Sequence, residues 1–214
     1  RSVEWINQAG LSNFGLDLIY GIPGQTMTGW LDNLQSAVKL NPRHLSCYLL
    51  QMDEAVPLEV AIKNGHYQAA SEEDEADMYY AMLEFLNANG YLQYEISNFC
   101  HPGFASCHNL NYWKGGNYIG LGAGAVSFWS GERYQNAPHI KEYIENLGHG
   151  YTPLRNTLES MNNLELAVDA LIMGLRMTWG VDMAYLSKRF NLNLMEVFKR
   201  PIARGEEEGL LVYT

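Results

Sequence analysis

Apolar residues crowd the stretch from Phe14 to Tyr20, which is closed by Gly21, Pro23 and Gly24. A short, nearly unbroken apolar run ended by turn residues predicts a parallel strand buried on both faces. The next apolar positions, Trp30, Leu31, Leu34, Ala37, Val38 and Leu40, recur at the helical spacing, and Thr28 offers a hydroxyl to cap that helix. A second apolar run, HLSCYLL at 44–50, follows. Strand, loop, helix and strand make a βαβ unit, with a right-handed crossover expected.

The same patterning extends outward. SVEWINQAG at 2–10 has the look of an amphipathic helix tail, with Gly10 as its stop. A helix that opens the chain without a cap predicts a fragment that starts inside a domain. At 71–90, Ser71 is placed to cap a long helix, Glu72, Glu73 and Asp74 fill its positive first turn, and Gly90 stops it. That acidic run therefore has a structural explanation and is not assigned to a metal. YLQYEIS at 91–97 alternates as a strand does, 98–117 is expected to be an ordered loop, 118–129 a glycine-rich strand, and APHIKEYIENL a further helix. Composition shifts near residue 150. Three short helices ending in the strand-like LLVYT then predict a winged-helix-like helical C-terminal domain. The expected organisation is 1–50, 51–150 and 151–214.

Composition narrows the partners. The 214 residues are 47% hydrophobic and 18% charged, values that suit a globular chain with a sizeable core. Acidic residues outnumber basic ones 24 to 14, for a net charge of −10, and no Lys/Arg block offers a phosphate track. Nucleic acid is not an expected partner. No apolar run approaches the roughly 18 residues of a membrane span, so no transmembrane segment is expected. Three cysteines cannot build a full disulfide framework, which favours a reducing, cytoplasmic setting.

Chemistry has few candidates. Asp17 sits within a strand expected to be buried, where an unpaired carboxylate would cost several kcal/mol. Either an arginine or backbone amides satisfy it, or it accepts the two hydroxyls of a ribose at the carboxyl end of a parallel strand. Spacing leaves these two readings level. Cys100, His101, Cys107 and His108 fall within nine residues, but the gap between the cysteines is too wide for a zinc knuckle. Cys47 and Cys107 are expected to be small buried hydrophobes. In HNLNYW, His108 can ligate iron through a neutral imidazole, Tyr112 and Trp113 offer flat faces to a macrocycle, and Asn109 and Asn111 can lock loop backbone or the imidazole tautomer. Spacing alone favours a structural loop there. The glycines of GLGAG do not open a helix, so a dinucleotide fingerprint is a poor match.

Taken together, DLIYGIPGQT, YEISNF, HNLNYW, GLGAGA and LIMGLRMTWGVD resemble the radical SAM family of oxygen-independent coproporphyrinogen III oxidases, and most closely its haem-chaperone branch. The resemblance runs nearly end to end. It implies an α/β fold: the C-terminal part of a partial, TIM-like (β/α)6 radical SAM barrel, an α+β region, and the helical C-terminal domain. It implies S-adenosylmethionine and a four-iron, four-sulfur cluster in the parent protein, haem or porphyrin as ligand, and haem-accepting proteins as partners. The CxxxCxxC cluster motif is absent, so no cluster ligand carries over and the fragment is expected to be catalytically inactive. Asp17 matches the family's SAM-contacting strand aspartate. His108, with Asn109, Tyr112 and Trp113 beside it, matches the histidine of the haem motif HNxxYW and is the implied ligand to haem iron. Val126 departs from the branch, which has histidine in that place. The implied function is haem binding and delivery. The alternatives are anaerobic oxidative decarboxylation of coproporphyrinogen III, and a non-catalytic interaction module. Half a barrel would expose a sheet edge, so dimerisation of the fragment is expected.

Overall fold

The computed structural model describes residues 1–52, 56–148 and 155–213. They fold as two compact units, Arg1–Ser106 and Cys107–Thr214.

In the first unit, helix α1 (Ser2–Gln8) ends at Gly10, whose φ of 73° supplies the left-handed turn that stops it. Strand β1 (Gly15–Tyr20), helix α2 (Met27–Lys39) and strand β2 (His44–Leu49) follow, and β1 and β2 pair in parallel. The expected βαβ unit is therefore present. Its helix is capped by Thr26, whose hydroxyl accepts from the Gly29 N–H, and not by Thr28. Thr28 already lies inside the first turn, where its own backbone is helical.

After α3 (Pro57–Lys63) comes α4 (Glu72–Ala88), with a capping box in which Ser71 and Asp74 satisfy each other's backbone donors. The hairpin strands β3 (Leu92–Glu95) and β4 (Asn98–Cys100) complete a sheet of order β1-β2-β4-β3. One sheet face supplies Leu45, Cys47 and Phe99 to a core shared with Trp30 and Leu34 of α2 and Met78, Met82 and Leu86 of α4. Trp30 is fully buried, stacks on Tyr20 at 5.5 Å, and donates its indole N–H to the Met78 carbonyl at 3.1 Å. That one side chain ties both helices to the sheet.

β1 departs from expectation. Leu16, Leu18 and Tyr20 turn toward the helices, whereas Gly15, Asp17 and Ile19 are exposed. The strand stands at the sheet edge with one face covered, so it is half-buried where the apolar run predicted burial on both faces.

In the second unit, the stretch expected to be loop up to residue 117 contains helix α5 (Cys107–Trp113). The glycine-rich stretch becomes strand only at β5 (Val126–Trp129), although Tyr118 bridges back to Phe128. A two-residue turn, Ser130 and Gly131 at φ 53° and 86°, leads into β6 (Glu132–Asn136). After α6 (Ile140–Gly148), strand β7 (Arg155–Ser160) completes an antiparallel sheet of order β5-β6-β7.

Helices α7 (Asn163–Gly174), α8 (Met183–Phe190), α9 (Leu194–Val197) and α10 (Lys199–Glu207) close the unit around Ala167, Ala170, Leu186, Phe190 and Leu194. Residues 210–213 lie outside any strand, and Leu210 and Val212 are exposed. The strand that accompanies these helices is β7, which precedes them and finds its partner in β6. No helix among the described residues is long and apolar enough to cross a membrane.

Candidate functional site

The face of the first sheet opposite its core carries a polar row. Cross-strand register sets Asp17 beside Ser46, Ser46 beside Asn98, and Asn98 beside Glu95. Ser46, Asn98 and Glu95 are buried, and Asp17 stands exposed at the end of the row. The Glu95 carboxylate accepts from the Asn98 amide at 2.5 Å and from the Ser97 N–H at 3.1 Å, which locks the turn between β3 and β4. Such bonds are what let a fully buried carboxylate persist.

Above the row, the His44 ring nitrogen meets the Tyr94 hydroxyl at 2.7 Å. Burial pushes the His44 pKa down, against the pull of the Asp17 carboxylate. Burial first, and Asp17 second, push the Cys47 thiol up to about 12, so this cysteine is an inert core residue. Cys47 and Cys100 are buried, whereas Cys107 is exposed at the start of α5 and not buried as its type suggested. Asp17 itself is exposed, because β1 stands at the edge of the sheet, and no arginine among the described residues pairs with it. Its two oxygens are available to a vicinal diol.

The other candidate is α5. His108 and Tyr112, four residues apart, share one side of the helix, with rings edge-on at 4.9 Å. Tyr112 leans on Tyr118 at 4.6 Å, and Tyr118 on Phe128 at 6.2 Å, so an aromatic series links the His108 ring to β5. His108 is exposed. Trp113 lies five residues on, about 140° around the helix axis from His108. It takes the Arg176 guanidinium over its ring at 4.6 Å, and its buried indole N–H finds no acceptor among the described residues. The structure thus brings His108 and Tyr112 together and sends Trp113 elsewhere.

The helix ends in a Schellman arrangement. Gly115, at φ 61°, donates to the Tyr112 carbonyl, and Gly116 donates to the Asn111 carbonyl. The Asn111 amide then donates to the Asn117 carbonyl at 3.0 Å, so this asparagine does lock backbone. Asn109 is half-buried. Asn136, also buried, donates to the Gly120 and Gly122 carbonyls at 3.1 and 2.9 Å, and Ser127 accepts from the Gly120 N–H. The GLGAG segment is therefore a pinned loop, with the Val126 side chain half-buried at the start of β5.

Pattern reading singled out Asp17 and the HNLNYW residues but missed Ser46, Glu95, Asn98, His44 and Tyr94. Period-two alternation in YLQYEIS was the available signal for Glu95, which pairs with Asn98 in the hairpin beside β2.

Relatives of known designation align with nearly the whole chain. It is 32% identical to the heme chaperone HemW of Bacillus subtilis (strain 168) over 98% of the chain and 55% of that protein. It is also 32% identical to a mitochondrial radical S-adenosyl methionine domain-containing protein 1 of Danio rerio, over 91% of the chain and 46% of that protein. Residues 161–213 match the HemN C-terminal domain. The chain belongs to the radical SAM, HemN-like family.

Within that family, the chain spans about half the length of the curated relatives it matches. The fold agrees with a solved structure of a HemN-like protein, the coproporphyrinogen III oxidase HemN of Escherichia coli, described as a radical SAM enzyme. The match has a TM-score of 0.71 at 19% identity and covers 94% of this chain and 50% of that one. The mixed α/β architecture is thus the C-terminal part of the HemN-like fold.

Proposed function

We propose that the protein binds haem through His108 and serves in haem delivery, as the name of its chaperone relatives suggests. The observation that carries this reading is the exposed His108 imidazole, held edge-on to Tyr112 on a short, well-terminated helix. An imidazole nitrogen is a good axial donor to haem iron, and the flat tyrosine face beside it suits a macrocycle edge. Tyr112 would orient the ring and Asn109 would sit at its flank, while Trp113 would support the helix from its other side. When bound, haem would supply the iron centre, and this chain's part is to offer and orient the imidazole.

Asp17 fits one contact to S-adenosylmethionine, a bidentate acceptance of the ribose hydroxyls. The iron–sulfur cluster of the family finds no matching donors here. Two of the three cysteines are buried, and the described residues hold no group of three metal-ligating side chains.

Haemin titration followed at the Soret band, on the protein and on His108→Ala, tests the reading. A saturable shift that the substitution abolishes supports it; equal spectra for both proteins would overturn it. Conversion of coproporphyrinogen III by the protein would move the assignment to the oxidase reading.

A further inference from the structure

A helix of seven residues is too short to hold itself in water, so α5 depends on what grips it. It has no buried residue among its own seven. Beside the Tyr118 ring that Tyr112 leans on, part of what grips it comes from the helical C-terminal segment. The Arg189 guanidinium, at the end of α8, donates through one terminal nitrogen to the Lys114 carbonyl at 2.7 Å and through the other to the Gly115 carbonyl at 2.5 Å. These are carbonyls at the C-terminal end of α5, left over after the Schellman bonds have satisfied those of Asn111 and Tyr112.

The fork geometry of arginine matches two adjacent carbonyls, which a lysine ammonium cannot reproduce, and its positive charge lies at the negative end of the helix. At the same place a Cβ on Gly115 would rest 3.4 Å from that of Ala170, so the helix end sits close against α7.

We propose that Arg189 is a positioning residue for the His108-bearing helix: it clamps the end of α5 and thereby sets the direction in which the imidazole is presented. This rests on the reading of His108 as a haem ligand. Its guanidinium acts on the imidazole through α5, by way of the Lys114 and Gly115 carbonyls.

The experiment compares the protein with Arg189→Met, Arg189→Lys and His108→Ala. Hydrogen exchange of the 107–116 peptide reads the helix, haemin titration reads the ligand, and far-UV circular dichroism checks the fold. Arg189→Met is expected to keep its circular dichroism, to lose protection in 107–116, and to bind haemin about tenfold more weakly. Arg189→Lys should recover part of both effects. Unchanged exchange at 107–116 in Arg189→Met would overturn the clamp. Lost protection with unchanged haemin affinity, while His108→Ala abolishes binding, would overturn the positioning role. If His108→Ala binds haemin as the parent does, the haem reading fails instead, and exchange at 107–116 alone decides the clamp.

Discussion

Replacing Gly116 by alanine separates two reasons for a glycine at the end of a helix. Gly115 is there for its backbone: at φ 61° an alanine would carry the left-handed strain of about 1–2 kcal/mol, but its Cβ would meet Ala170 at an ordinary 3.4 Å. Gly116 is there for space. A Cβ on it would run into the Asn111 carboxamide and lie 2.9 Å from the Asn111 backbone carbonyl, which cannot swing aside. Relief would break the Gly116 N–H bond to that carbonyl and displace the Asn111 amide from the Asn117 carbonyl. Two hydrogen bonds at about 1 kcal/mol each give a loss near 2 kcal/mol. In urea unfolding followed by far-UV circular dichroism, Gly116→Ala should therefore cost as much as Gly115→Ala or more. Gly103→Ala, at φ 85° in open space, should show only the strain. A Gly116→Ala protein within ~0.5 kcal/mol of the parent, the scatter of ordinary surface substitutions, would refute the steric reasoning.

Trp30→Ala should destabilise the first unit by about 3–5 kcal/mol in the same assay, since it empties a fully buried site bridging α2, α4 and the sheet. The pKa of His44 is depressed by burial, so the unfolded chain binds more protons than the native one just below pH 6.5. The stability this residue contributes is therefore full above that pH and is lost as the pH falls through its folded value. Urea midpoints from pH 7 to 5 should drop less for His44→Gln than for the parent, and equal slopes would contradict this. The edge position of β1, with Ile19 and Ile22 exposed, predicts self-association through that strand. Light scattering should show dimers at high concentration and fewer in Ile19→Lys, and a clean monomer would count against it.

Much of this was legible from local pattern. The run from Phe14 to Tyr20, the helical period after Trp30 and the second run at 44–50 specified the βαβ unit, because each signal is local to its own element. Ser71, Asp74 and Gly90 marked both ends of α4 for the same reason. The burial of Asp17 was misjudged because an apolar run does not reveal how many sheet faces are covered; that depends on what else packs there. Helix α5 was missed because His108, Asn109 and Asn111 break any apolar period, although Gly115 directly after YWK was a usable stop signal. RNTLES at 155–160 is polar and exposed over its described side chains, and it becomes β7 through pairing with β6. LLVYT had strand composition but no neighbour to pair with among the described residues.

Whether His108 ligates haem, as proposed, is tested most directly by imidazole rescue. His108→Gly, titrated with haemin, should lack the Soret shift of the parent, and added free imidazole should restore it by filling the vacated place beside Tyr112. A His108→Gly protein that binds haemin as the parent does, with no response to imidazole, would contradict the account.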